Sequence, residues 1–142
     1  MTKQPSHETL DAPVVAVVNT NPDVVRLFRV ALERAGFITF AVHIEDIKVG
    51  SVDVDDLLRQ HDPRVIVYDV APPYDQNWRF LDHLRTSTAF KGRYFVLTTV
   101  NLRAVEKVVG PDETVYEVIG EPKDIDEVVR AVKEASRARP TR

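Results

Sequence analysis

The apolar run VIVYD, Val65 to Asp69, halts on a carboxylate, and VAPPYDQ follows with a double proline at Pro72 and Pro73. An aspartate that closes a buried strand can bond loop amides or cap a helix, or it can face a ligand at the carboxyl end of a sheet. Two further stretches end in polar groups of the same kind: Asn19, Thr20 and Asn21 after PVVAVV, and Thr98 and Thr99 at the end of RYFVLTT. A carboxylate, amides and hydroxyls gathered at one place make a polar pocket. Whether they gather depends on the elements that carry them.

Other chemistries lack their tools. The five glycines, Gly36, Gly50, Gly92, Gly110 and Gly120, form neither GxGxxG nor a phosphate-cradling loop. His7, His43, His61 and His83 are scattered without metal-ligand spacing. There is no GxSxG elbow and no cysteine, which removes a thiol nucleophile, a disulfide framework and a thiolate metal site together. No enzyme and no metal centre is read from these residues. The net charge of −3, with no basic stripe, argues against a nucleic-acid partner. No apolar run approaches the ~20 residues that span a bilayer, and MTKQPSHETLDA lacks the apolar core of a signal peptide. The expectation is a cytoplasmic protein without membrane contact.

The 142 residues, 44% hydrophobic and 29% charged, suit one globular domain. The polar segment 1–12 is expected to be disordered, 13–136 to fold, and 137–142 to form a basic tail. Apolar runs of strand length alternate with helical periodicity, the pattern of βα units. PVVAVVN, Pro13 to Asn19, is valine-rich without alternation and reads as a central strand covered on both faces. Asn21 then offers an N-cap, Pro22 the first helical position and Gly36 a stop, enclosing a stripe of Val24, Leu27, Phe28, Ala31 and Ala35.

FITFAVH, from Phe37, makes a second strand. After a loop near Gly50, the spacing of Val54, Leu57, Leu58 and His61 predicts a short helix, broken by Asp62 and Pro63. A third strand runs from Arg64 to Asp69, with a helix carrying Trp78, Leu81 and Leu84 behind it; Trp78 reads as packing. A fourth strand from Arg93, a helix with Leu102, Val105 and Val109, and a fifth strand from Thr114 follow. Asp124 is placed to cap a last helix whose Ile125, Val128, Val129 and Val132 fall at i, i+3, i+4 and i+7. Five such units predict an α/β, flavodoxin-like (βα)5 doubly wound sheet of five parallel strands in the order 2-1-3-4-5. In that order the functional crevice lies at the carboxyl ends of strands one and three.

On these residues the chain resembles the receiver domains of bacterial response regulators, the CheY-like family, across 13–136. The resemblance implies that Asp69, with Pro73 four positions on, matches the family's phosphoryl-accepting aspartate, and that Thr98 matches the hydroxyl contacting the phosphoryl group. It also exposes two departures. The acidic pair after the first strand, which helps hold Mg²⁺, is replaced by Asn19 and Thr20, and the lysine before a proline after the fifth strand is replaced by Glu121 before Pro122. The backbone carbonyl of Ala71 stands at the family's remaining metal-ligand position. Val118 occupies the switching aromatic's place, with Tyr116 two residues earlier, and Lys123 is expected to face solvent.

An acyl phosphate would add about −1.5 to −2 charges, and a lysine-type charge-assisted bond contributes roughly 1.5–3 kcal/mol. Since every ~1.4 kcal/mol is tenfold in rate, the losses predict weak or no phosphorylation at Asp69. Mg²⁺, usually held by one or two carboxylates plus water, is the only cofactor the resemblance implies, and the missing acidic pair weakens it. The implied function is a stand-alone atypical receiver in two-component phosphorelay signalling, acting by protein–protein contact. A histidine kinase or downstream effector is the implied partner, and a homodimer stays open. The chain ends just past the last helix, so no attached output domain is expected. The alternative is a flavodoxin-like small-ligand domain, although the NTNP turn has no glycine and few hydroxyls for a flavin phosphate.

Overall fold

The continuous apolar run VVAVV in the first strand demands cover on both faces, and the computed structural model, which describes residues 13–120 and 125–138, provides it. In chain order the elements are β1 (Val14–Asn19), α1 (Pro22–Arg34), β2 (Ile38–His43), α2 (Ile44–Lys48), α3 (Val54–His61), β3 (Val65–Asp69) and α4 (Tyr74–Leu84). A 3-10 turn (Thr88–Phe90), β4 (Tyr94–Thr99), α5 (Leu102–Val109), β5 (Val115–Gly120) and α6 (Ile125–Arg137) complete it. All pairings are parallel and the order is β2-β1-β3-β4-β5, as the sequence predicts. Side chains alternate across each strand, so Val15, Val17, Val65, Val67 and Val96 bury against α1 and α6. Ala16, Val18, Ile66, Tyr68 and Leu97 bury on the other face, with Leu58, Trp78, Leu81 and Val105 from α3, α4 and α5. Trp78 is core packing, as read.

Several details differ from the sequence reading. Each strand starts one residue later than expected, at Val14, Ile38, Val65, Tyr94 and Val115. The leading residues still serve the ladder: the carbonyls of Pro13, Arg64 and Thr114 accept from Ile38, Tyr94 and Phe95 at 3.1, 3.1 and 2.7 Å. On α1 the buried pair is Phe28 and Leu32, while Leu27 is 55% exposed. Five-residue α2 replaces part of the expected loop, because Ile44 and Ile47 can pack on the apolar face directly after β2. β5 carries a bulge at Tyr116, since Phe95 pairs with Val115 and Val96 with Glu117.

Local chemistry closes the elements. Asn21 caps α1, its side-chain oxygen accepting from the amides of Asp23 at 2.9 Å and Val24 at 3.4 Å. α3 stops at Asp62, whose φ of 50° is left-handed. At the amino rim of the sheet Arg93 donates to the carbonyls of Ala89, Pro63 and Leu58, tying the 3-10 turn, the loop before β3 and α3 together. The cap expected at Asp124, the Glu121–Pro122 pair, Lys123, segment 1–12 and the tail beyond Ala138 lie outside the described residues. Among the described residues no helix is long and apolar enough to cross a membrane.

Candidate functional site

Strand register decides where the polar groups meet. Val18 pairs with Tyr68, so Asn19 and Asp69 stand one step further along adjacent strands; Asp69 in turn pairs with Thr98, and Thr98 with Ile119. Alternation puts Asn19, Asp69 and Thr98 on the same side as the valines that pack on α1 and α6. The three residues singled out in the sequence thus form one row across the carboxyl rim of the sheet. They do so on strands β1, β3 and β4, where open α/β sheets place their ligands.

Within the row the bonds are internal. The Thr98 hydroxyl, 2% exposed, donates to a carboxylate oxygen of Asp69 at 2.9 Å. The Val70 amide donates to the Thr98 carbonyl at 2.9 Å, which fixes the two strand ends together. Asn19 is buried, and its side-chain oxygen accepts from the amides of Thr20 at 2.7 Å and Asn21 at 3.0 Å, shaping the turn into α1. Thr20 is exposed. Pro73 is exposed at the N-cap of α4 and gives no side-chain cap. Thr99 is buried and accepts from the Asn101 amide at 3.2 Å. Val118 is half-buried against the α5 face, and Tyr116 is exposed with its hydroxyl donating to Glu134 at 3.0 Å.

Two features of the rim had no simple sequence signal. The Ala71 carbonyl accepts from the Asn77 side-chain amide at 2.7 Å, and Asn77 in turn accepts from the Lys48 ammonium at 3.2 Å. Asn77 lies one turn into α4 and Lys48 comes from α2, so only tertiary structure joins them. The second is the approach of β5 to α5. A Cβ at Gly120 would stand 2.5 Å from the Leu102 Cβ, so glycine is needed where the strand end meets the helix start.

The row's electrostatics follow from burial. Desolvation pushes the Asp69 carboxyl above its ordinary 3.8, partly offset by the Thr98 hydrogen bond. Burial also raises the Tyr68 phenol, as does the neighbouring Asp69 charge. A carboxyl raised in the folded state stabilises fully below its unfolded value, and that contribution is lost as pH rises through the folded value. Ionised Asp69 is therefore a cost near neutrality. Asp69→Asn keeps an acceptor for Thr98 and is expected to raise stability at pH 7 by ~1 kcal/mol. Urea unfolding across pH checks this: the gain should shrink on acidification toward ordinary carboxyl values, and a destabilised variant at neutral pH would contradict it.

Does this donor set fit a divalent ion? Mg²⁺ asks for near-octahedral oxygen and usually one or two carboxylates. Among the described residues Asp69 is the only carboxylate in the row, and one of its oxygens holds Thr98; the Asn19 oxygen serves two amides, and the Ala71 carbonyl is engaged by Asn77. Among the described residues no three His, Cys, Asp or Glu side chains converge as a metal site. The described residues do not fit Mg²⁺.

No family model and no curated protein sequence matches the chain. Solved structures do. A signal receiver domain of two component signal transduction (histidine kinase) from Clostridium thermocellum superposes with a TM-score of 0.67 at 14% identity, covering 89% of this chain and 98% of that one. A sensor protein from Polaromonas sp. JS666 gives 0.64 at 19% identity, covering 87% and 95%. A response regulator from Thermotoga maritima gives 0.64 at 15% identity, covering 89% and 99%. Strand order, the helices on both faces and these superpositions together give the chain the fold of the CheY-like response regulator receiver domains.

Proposed function

We propose that the protein is an atypical receiver module of two-component signalling that works by binding a protein partner, with little or no phosphoryl transfer to Asp69. One observation carries the reading: the row holds an aspartate and a threonine in hydrogen-bond contact at 2.9 Å, yet surrounds them with groups that already satisfy one another. An acyl phosphate on Asp69 would bring about −1.5 to −2 charges into a half-buried place without a divalent cation to neutralise them. The partner is a histidine kinase or a downstream effector. The sheet edge formed by β5 with α5 and α6 suits such contact: Leu102 on α5 and Tyr116 on β5 are exposed apolar side chains, and Arg130 of α6 pairs with Glu117 and Glu134.

The flavodoxin-like alternative finds less support. The open clefts of about 320 and 310 Å³ lie beside Arg85 and Thr114 and along α1, away from the Asp69 row, and the apolar cavity under Ala16, Val18, Phe40 and Tyr68 is about 10 Å³. The test is to incubate the protein with Mg²⁺ and acetyl phosphate and weigh it intact. No mass gain is expected. A gain that disappears in Asp69→Ala would overturn the phosphate-independent mechanism.

A further inference from the structure

We infer that Asn77, oriented by Lys48, is the positioning residue that holds the β3–α4 loop of the Asp69 pocket in shape without a cation. This rests on the reading of the pocket as metal-independent. The Asn77 amide nitrogen donates to the Ala71 carbonyl at 2.7 Å, the shorter of its two side-chain bonds. Its oxygen accepts from Lys48 at 3.2 Å, and the Lys48 ammonium also sits 5.4 Å from the centre of the Phe80 ring. Neither end of the amide can be exchanged for the other. An ammonium only donates and a carbonyl only accepts, so the network permits one amide orientation.

The consequence is mechanical. Ala71 lies two residues beyond Asp69 and one beyond Val70, whose own amide is tied to Thr98. The loop is thus pinned on one side to β4 and on the other to α4, and through Lys48 to α2. A backbone carbonyl that would otherwise need a cation or water receives a charge-supported amide instead. The order of the pocket is then a property of the chain and not of its ionic surroundings.

The variant that separates this from packing is Asn77→Asp, which keeps size and a partner for Lys48 but removes the donor to Ala71. Lys48→Met serves as a second variant that leaves the loop's own residues intact. Amide hydrogen exchange followed by NMR reads the result in each protein, with and without Mg²⁺. The wild type is expected to show slow exchange at Val70, unchanged by Mg²⁺. In Asn77→Asp the Val70 amide should exchange about tenfold faster, with exchange in the β1 core unchanged and part of the protection restored by Mg²⁺, because a carboxylate now stands beside a free carbonyl. Lys48→Met should show a smaller acceleration at the same residues.

Equal exchange in wild type and Asn77→Asp, with no Mg²⁺ response, would overturn the positioning role and leave the metal-free reading standing. A Mg²⁺-induced slowing in the wild type itself would overturn that reading as well.

Discussion

Arg85→Ala is expected to lower the unfolding free energy by ~2–3 kcal/mol, because it strips the counter-charge and its hydrogen bonds from a partly buried carboxylate. Arg85 bonds Asp82 at 2.8 Å, pairs closely with Asp112 and donates to Thr114 at 2.6 Å. Its guanidinium centre also lies 4.8 Å from the Trp78 ring centre and 6.0 Å from that of Phe95. Both Arg85 and Asp112 side chains are only about one-sixth exposed, at 16% and 15%. Arg85→Lys should recover less than half of the loss, since a point charge cannot replace a planar fork that also stacks. Urea denaturation with a shared slope measures both; a loss under ~1 kcal/mol would mean the hub acts as an ordinary surface pair.

The same hub sets an acid limit. Burial works against ionisation of Asp112, but the hydrogen bonds from Arg85 and Thr114 outweigh it and hold the carboxyl at about 2. For a depressed carboxyl the stabilisation is present above the unfolded value, here 3.8, and is lost as pH falls toward about 2. Asp69 slopes the opposite way. Stability measured through this window in Asp112→Asn and Asp69→Asn should therefore bend in opposite senses relative to wild type.

Gly120→Ala carries the second large effect, a loss of ~1–3 kcal/mol from overpacking. The added Cβ would meet the Leu102 Cβ at 2.5 Å and its Cα at 3.3 Å, and both belong to the first residue of α5, not to a flexible side-chain end. Relief must come from moving the helix start. Leu102→Gly should therefore recover most of the cost of Gly120→Ala, a coupling that a double-mutant cycle resolves. Additive losses would show that the strand end and the helix start are not in rigid contact. The point bears on function, because Gly120 and Leu102 join the rim of the pocket to the α5 face proposed for partner binding. Displacing one should alter the other.

Much of this was legible in the residues themselves. The unbroken apolar run VVAVV marked β1 as central, the Asn21–Pro22 start and Gly36 stop bounded α1, and a carboxylate ending VIVYD pointed to the rim where Asp69 stands. Local physics sufficed there, since each signal lies within one element. Spacing puts Leu27 in the α1 stripe with Phe28, and only the angle of α1 against the sheet decides that Leu32 is buried instead. The short α2 is set by Ile44 and Ile47 finding the apolar face, a tertiary fact. The Lys48–Asn77 link spans 29 positions, and the Gly120–Leu102 contact joins two elements, so neither leaves a local pattern. The bulge at Tyr116 is likewise a matter of pairing, invisible in a strand read alone.

The most direct measurement is the carboxyl titration of Asp69, followed by ¹³C NMR in the presence and absence of excess Mg²⁺. The expected midpoint lies above 3.8, is the same in both conditions, and rises further in Thr98→Val, which removes the one hydrogen bond holding it down. A midpoint that falls when Mg²⁺ is added would mean that the ion competes with the proton at Asp69, and the metal-free pocket would be wrong.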